Sequence, residues 1–274
     1  MSGKKIIEGD AGDYVGQKMK DGEITVKGNA GRYAGDDMKD GKITIEGNAG
    51  SNLGFAMKNG EITVEGNAES GVGCFMKNGK ITVEGNAEYG LGNSLIGGKI
   101  TVEGNAKDHV GHGMMNGEIT VEGNAGHHVG YDMKDGEITV EGDAGCSIGS
   151  SMKDGKITVG GNAESGVGYW MENGDIIVKG NAGDNVGQKM EDGKITVNGN
   201  AGGYVASSST GGQIYLGGDF ENIAKNAYAE IIWDDRVVGA SEYAAKKTEF
   251  DEFLSIKLKE IETMKTMYRS FIEE

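Results

Sequence analysis

Glycine recurs every 19 residues from Gly9, Gly28 and Gly47 through to Gly199, and the unit it opens runs eleven times from Gly9 to Gly217 without an insertion. A repeat this regular constrains the architecture before any local propensity is weighed. Numbered from that glycine, the unit reads G-N-A-G-x-x-V-G-x-x-M-K-D-G-K-I-T-V-E. Position 3 is Ala and position 16 is Ile in all eleven units; position 18 is Val in nine, with Ile45 and Leu216 as the exceptions. Met fills position 11 in nine units, from Met19 to Met190.

Segments such as Ile24-Thr25-Val26 and Ile62-Thr63-Val64 alternate apolar and polar residues. A period of two puts Ile and Val on one face and Thr on the other. Nineteen residues are too few for a strand–helix–strand unit of about 30, and antiparallel hairpins would not repeat identical turns. Stacking each unit on its predecessor puts like on like. Each coil then bonds the next at about 4.8 Å, so that eleven coils make a rod about 50 Å long. The expected fold is all-β, a single-stranded right-handed parallel β-helix with a C-terminal α-helix, the hand following the preference of parallel crossovers. Positions 3, 7, 11, 16 and 18 should line a narrow apolar channel. The Asn residues at position 2 (Asn29, Asn48, Asn67) should form a stacked ladder at a bend.

Composition removes the competing classes. With 51 Gly and no Pro, a collagen-like chain is excluded, and β-branched residues at fixed intervals exclude disorder. Glycine must serve the bends, at positions 8 and 14 above all. A net charge of −16 argues against nucleic acid and anionic membranes as partners. No apolar run approaches the roughly 20 residues of a membrane span. Met1 to Glu8 lacks the apolar core of a signal peptide, so a cytoplasmic location is expected.

Four regions follow. Residues 1–8 form an N-terminal edge strand, whose Lys4 and Lys5 blunt an otherwise open edge. Residues 9–217 are the β-helix. Residues 218–240 cap it, with Phe220 in place of the invariant Ala and a last strand around Ala229 to Trp233. Residues 241–274 read as an amphipathic helix whose stripe of Phe250, Leu254, Leu258, Ile261, Met264, Tyr268 and Phe271 is the expected interaction surface. Such a stripe must cover the rod end near Phe220 and Trp233, the rod flank, or another chain. The flank offers Phe55, Phe75, Tyr131, Tyr169 and Trp170, which read as scattered along the rod rather than clustered.

No catalytic residue and no cofactor is expected. Gly145-Cys146-Ser147-Ile148-Gly149 matches the G-x-S-x-G pattern, but that chemistry needs a strand–turn–helix elbow followed by an acid and a His, and all four His precede Ser147. Gly71-Val72-Gly73 opens no helix onto a phosphate. Cys74 and Cys146 lie four coils apart, about 19 Å, beyond the roughly 7 Å a disulfide spans. His109 and His128 share one position in adjacent coils, with His112 and His127 nearby, and are the candidate pair for a shared metal. No carboxylate ligand stands out beside them, and the plain alternative is a pair of outward polar residues. Glu46, Glu65, Glu84, Glu103, Glu122 and Glu141 stack on one outward line, where like charges destabilise. Lys42, Lys80, Lys99 and Lys156 on the same face are expected to offset part of this. The ladder reads as a solvated face or, alternatively, as a seat for a basic partner or cations.

The unit G-N-A-G-x-x-V-G-x-x-M-K-x-G-K-I-T-V-E-G, over residues 9 to about 219, resembles the G-x-G-x-G repeat family. That family includes the β-helical subunit of archaeal formylmethanofuran dehydrogenase and the C-terminal domain of the glutamate synthase large chain. The resemblance implies a β-helix that does no chemistry itself and holds catalytic domains at fixed separation. The wording of the repeat leans toward the formylmethanofuran dehydrogenase type. The partners it implies are protein subunits of an oxidoreductase complex, with self-association of a stand-alone structural protein as the alternative.

Overall fold

The computed structural model describes residues 3–233 and 236–238. Within them the chain is a parallel β-solenoid of about twelve turns. Fourteen strands form one sheet in strict sequence order, from β1 (Lys4–Ile7), β2 (Glu23–Val26) and β3 (Lys42–Ile45) to β12 (Gln213–Leu216), β13 (Glu230–Trp233) and β14 (Arg236–Val237). Strands β1 to β13 pair in parallel, and β14 turns back antiparallel on β13. The register is the sequence repeat itself: Ile43 faces Ile62, and Thr44 faces Thr63. A second parallel line joins Ala11 to Ala30, Ala30 to Ala49 and so on as far as Ala201 and Phe220.

The five expected inward positions line the interior. Ile43, Ile45, Leu53 and Met57 have no exposed surface, and the column alanines from Ala30 to Ala201 are 2–8% exposed. Leu95 replaces Met in this lining without exposure. The terminal coil carries Ser209 at the same position. Its buried Oγ accepts the amides of Tyr228 (3.0 Å) and Ala229 (2.9 Å), which anchors the closing turn.

The Asn ladder forms, and its main bond is more specific than amide stacking. Oδ1 of each Asn accepts the backbone N–H of position 2 one coil on, as from Asn48 to Asn29, Asn67 to Asn48 and Asn86 to Asn67, each at 2.8 Å. This packing explains the glycine at position 1. A Cβ on Gly47 would lie 2.7 Å from Asn29 Oδ1 and from the Gly28 carbonyl carbon, so the side chain is excluded by close approach. At position 8 both reasons apply. Gly16 and Gly35 have φ of 70° and 73°, and a Cβ on either would collide with Cδ1 of the next coil's isoleucine.

At both ends of the described rod the columns change, and the last strand, β14, is one that the repeat does not announce. Lys5 in β1 stands opposite Ile24, so an exposed charge occupies the inward column at the first edge. At the other end Phe220 is 6% exposed and meets Trp233 edge-on, with ring centroids 5.4 Å apart. Among the described residues there is no helix. The expected helix over 241–274, with Phe250, Leu254, Leu258, Ile261, Met264, Tyr268 and Phe271, lies outside them.

Ala106→Leu places three more carbons where two coils touch, and should destabilise the rod by about 1–3 kcal/mol. Chemical denaturation measures this; an unchanged midpoint would contradict the packing of the alanine column.

Candidate functional surface

Each coil turns a corner between positions 4 and 10. The backbone enters the left-handed region at positions 6 and 10 in coil after coil, mostly without glycine: Tyr14 (φ 64°), Tyr33 (59°), His109 (65°) and His128 (61°) at position 6, Phe75 (57°) and Trp170 (56°) at position 10. Large side chains in that region are uncommon and carry strain of the order of 1 kcal/mol or more.

Successive coils superpose, so side chains from these positions meet. Tyr14 stacks on Tyr33, with centroids 5.2 Å apart and planes 6° apart. Tyr33 meets Phe55 at 5.9 Å, and Phe55 meets Phe75 at 5.5 Å, both edge-on. Sequence spacing alone makes the flank aromatics look scattered. The rings of positions 6, 9 and 10 instead join into one line across the first four coils, because these positions share a corner. Further along the edge stand Tyr131, then Tyr169 beside Trp170, with Lys189 Nζ 4.5 Å from the Trp170 ring centroid.

All four histidines fall between these aromatic groups. His109 and His128 do stack, at 5.1 Å and 9° between planes. Their nitrogen lone pairs lie in the ring planes and so run side by side, each ring about 5 Å from the other, whereas an ion needs nitrogens within about 2.1 Å of one point. Stacking therefore works against a metal shared by this candidate pair. The Nδ1 atoms of both rings are buried without a hydrogen-bond partner. Burial, followed by the charge of His109, lowers the pKa of His128 below its ordinary value.

Convergent donors occur one position away. His127 and Cys146 occupy position 5 of the seventh and eighth coils, and Glu164 occupies position 4 of the ninth. His127 Nδ1 lies 3.0 Å from Cys146 Sγ and 3.9 Å from Glu164 Oε2. The same Nδ1 accepts the Cys146 amide at 3.0 Å, while Asp108 Oδ1 accepts the His127 amide at 2.9 Å. Burial, then the charge of Glu164, pushes the Cys146 thiol pKa up. Cys74 is a different kind of thiol: buried, with its Sγ 3.6 Å from the Gly90 carbonyl oxygen, its pKa pushed up by burial to about 11, and free like Cys146. Reading the positions singly misses this cluster, since Glu164 lies two coils beyond His127 and in the adjacent column.

Ser147 sits at a left-handed corner (φ 63°), with no helix behind it, so the G-x-S-x-G match has none of the elbow geometry it would need. The outward charges also differ from expectation. Lys42, Lys99 and Lys156 pair within their own column, with Glu61 (3.4 Å), Glu118 (2.5 Å) and Glu137 (2.8 Å). Positions 15 and 19 lie about 13 Å apart along the strand, so these lysines do not neutralise the Glu ladder. Lys27 pairs with Glu46 at its first rung.

These features define a repeat protein with a column-ordered surface. A family model described as GXGXG motif matches residues 82–272, more than half of the chain, and the chain belongs to that family. No curated protein matches it.

Glu84 and Glu122 remain in the unpaired stretch of the ladder. Replacing both by Gln should raise the thermal midpoint at low salt, and added salt should raise that of the parent more than that of the variant. Two midpoints that respond identically to salt would show that the ladder carries no repulsion.

Proposed function

We propose that this chain is a non-catalytic scaffold subunit of a multi-subunit oxidoreductase of the archaeal type, similar to the β-helical subunit of formylmethanofuran dehydrogenase. Membership of the GXGXG family and the uninterrupted solenoid support the reading. A rod with constant register presents side chains at fixed intervals of about 4.8 Å, which is what holding other subunits at set distances requires.

The observation that carries the reading is the aromatic edge. Tyr14, Phe75, Trp170 and Tyr204 are 45–59% exposed, and each stands at a left-handed position. Folding does not require rings there, since Gly71, Gly90 and Gly166 fill position 6 in other coils. Exposed aromatics are what protein interfaces bury most profitably. The acidic surface favours protein partners over nucleic acid or an anionic membrane. The same reading puts the complex in the cytoplasm, where free thiols at Cys74 and Cys146 persist. No helix among the described residues is long and apolar enough to cross a membrane.

The test is isolation of the tagged chain from its own cells under native conditions. We expect stoichiometric recovery with redox-active subunits. Tyr14→Asn with Tyr33→Asn and Phe75→Ser, residues that other coils already carry at these positions, should lose those subunits while circular dichroism stays unchanged. Recovery of the chain alone overturns the proposal. Recovery only with copies of itself overturns it in favour of a self-assembling structural protein. Recovery with glutamate synthase chains would move the assignment to that complex.

A further inference from the structure

We propose that His127, Cys146 and Glu164 bind one divalent transition-metal ion of the zinc and cobalt class, with a coordination position left open to solvent. The site is independent of the scaffold reading. Among the described residues it is the one group of three metal-ligating side chains whose donor atoms all lie within 4.8 Å of one another.

The distances suit such an ion. Tetrahedral bonds of about 2.0–2.2 Å to nitrogen and oxygen and about 2.3 Å to sulfur hold the donor atoms roughly 3.3–3.6 Å apart. Nδ1 to Sγ at 3.0 Å and Nδ1 to Oε2 at 3.9 Å lie on either side of that range. Shifts of a few tenths of an ångström, lengthening the first and shortening the second, bring both into it. The donor set of one thiolate, one imidazole and one carboxylate favours borderline ions over magnesium or calcium, which take oxygen ligands.

The local sequence opens the space. Position 4 is Glu in the fourth and fifth coils and Lys107 in the sixth, but Gly126 and Gly145 in the seventh and eighth. A Cβ on Gly145 would collide with His127 Nδ1. Glu164 then returns a carboxylate to this column, above the gap. The side chains of His127 and Glu164 are 45% and 65% exposed, so an ion has a way in.

Two protonation and bonding changes accompany binding. The Cys146 thiol gives up its proton to solvent as sulfur bonds the metal, so affinity rises with pH. The metal takes the Nδ1 lone pair and displaces the Cys146 amide. The fold tolerates an amide without that acceptor, since Arg32, which has no acceptor atom, precedes Ser51 in the same column. Because the ligands come from three successive coils, the ion would clip those coils together.

Titration of the metal-free full chain with Co²⁺ tests the site. We expect one equivalent to produce a thiolate-to-cobalt charge-transfer band, with binding tightening as pH rises. Cys146→Ser should abolish the band. His127→Asn, which keeps an acceptor for the Cys146 amide, and Glu164→Gln should each weaken binding by more than about 100-fold, beyond the usual loss of an outer-shell partner. Cys74→Ser should change nothing. Serine already occupies position 5 in other coils, so Cys146→Ser should fold, as circular dichroism would check. Absence of a band in the parent, its survival in Cys146→Ser, or its loss in Cys74→Ser overturns the proposal. So does binding that depends on His109 and His128 instead.

Discussion

Every coil is held by backbone hydrogen bonds to the same or the adjacent position of its neighbours, in a register that repeats every 19 residues. Gly47 N–H donates to Gly28 carbonyl at 3.0 Å, Gly66 to Gly47 at 3.1 Å, and Glu46 to Val26 at 2.9 Å. The bonding continues round the corners, as between Gly54 and Ala34 (2.8 Å) and between Lys58 and Met38 (2.7 Å). Since the same register serves strand and corner alike, each side chain packs above and below its own kind. A residue that suits one coil therefore suits the next, and the columns of Ala, Ile, Val and Met follow. A single added or lost residue would move every downstream column off its partner.

A stack of this kind needs distinct ends, and the chain supplies them by breaking its own columns. Lys5 enters the isoleucine column at the first edge, Phe220 ends the alanine column against Trp233, and Ser209 ends the methionine column by bonding two amides. These three exceptions fall in the first edge strand and the last turns of the rod, whereas substitutions within it, such as Leu95 for Met, keep the apolar column. Ion pairs obey the same geometry: Lys99 with Glu118 and Lys156 with Glu137 join one coil to the next within a column.

What can be read from the residues is whatever a single column determines. The register, the inward positions and the Asn ladder are legible because one side-chain type repeats at each. Features that depend on two adjacent columns are not. Tyr33 meets Phe55 across positions 6 and 9, and His127 meets Glu164 across positions 5 and 4. The left-handed corners at positions 6 and 10 are hidden for a related reason. Glycine marks position 14 throughout and position 8 in every coil but the last, which has Ala206, whereas Tyr, His, Asn and Ser fill much of positions 6 and 10. His109 and His128 show the limit in another form: spacing locates the stack, but the direction of the lone pairs depends on side-chain rotation.

The dependence on register is tested most directly by cutting out a coil. Deleting residues 104–122 joins Glu103 to Gly123 and preserves every column. If coils interact only with their neighbours through that register, the shortened chain should fold with the same β-type circular dichroism. Its rod should be shorter by about 4.8 Å in solution scattering. Deleting residues 104–113 instead, about half a coil, should abolish cooperative folding. Equal damage from the two deletions, or a folded product from the second alone, would contradict the dependence of the rod on its 19-residue register.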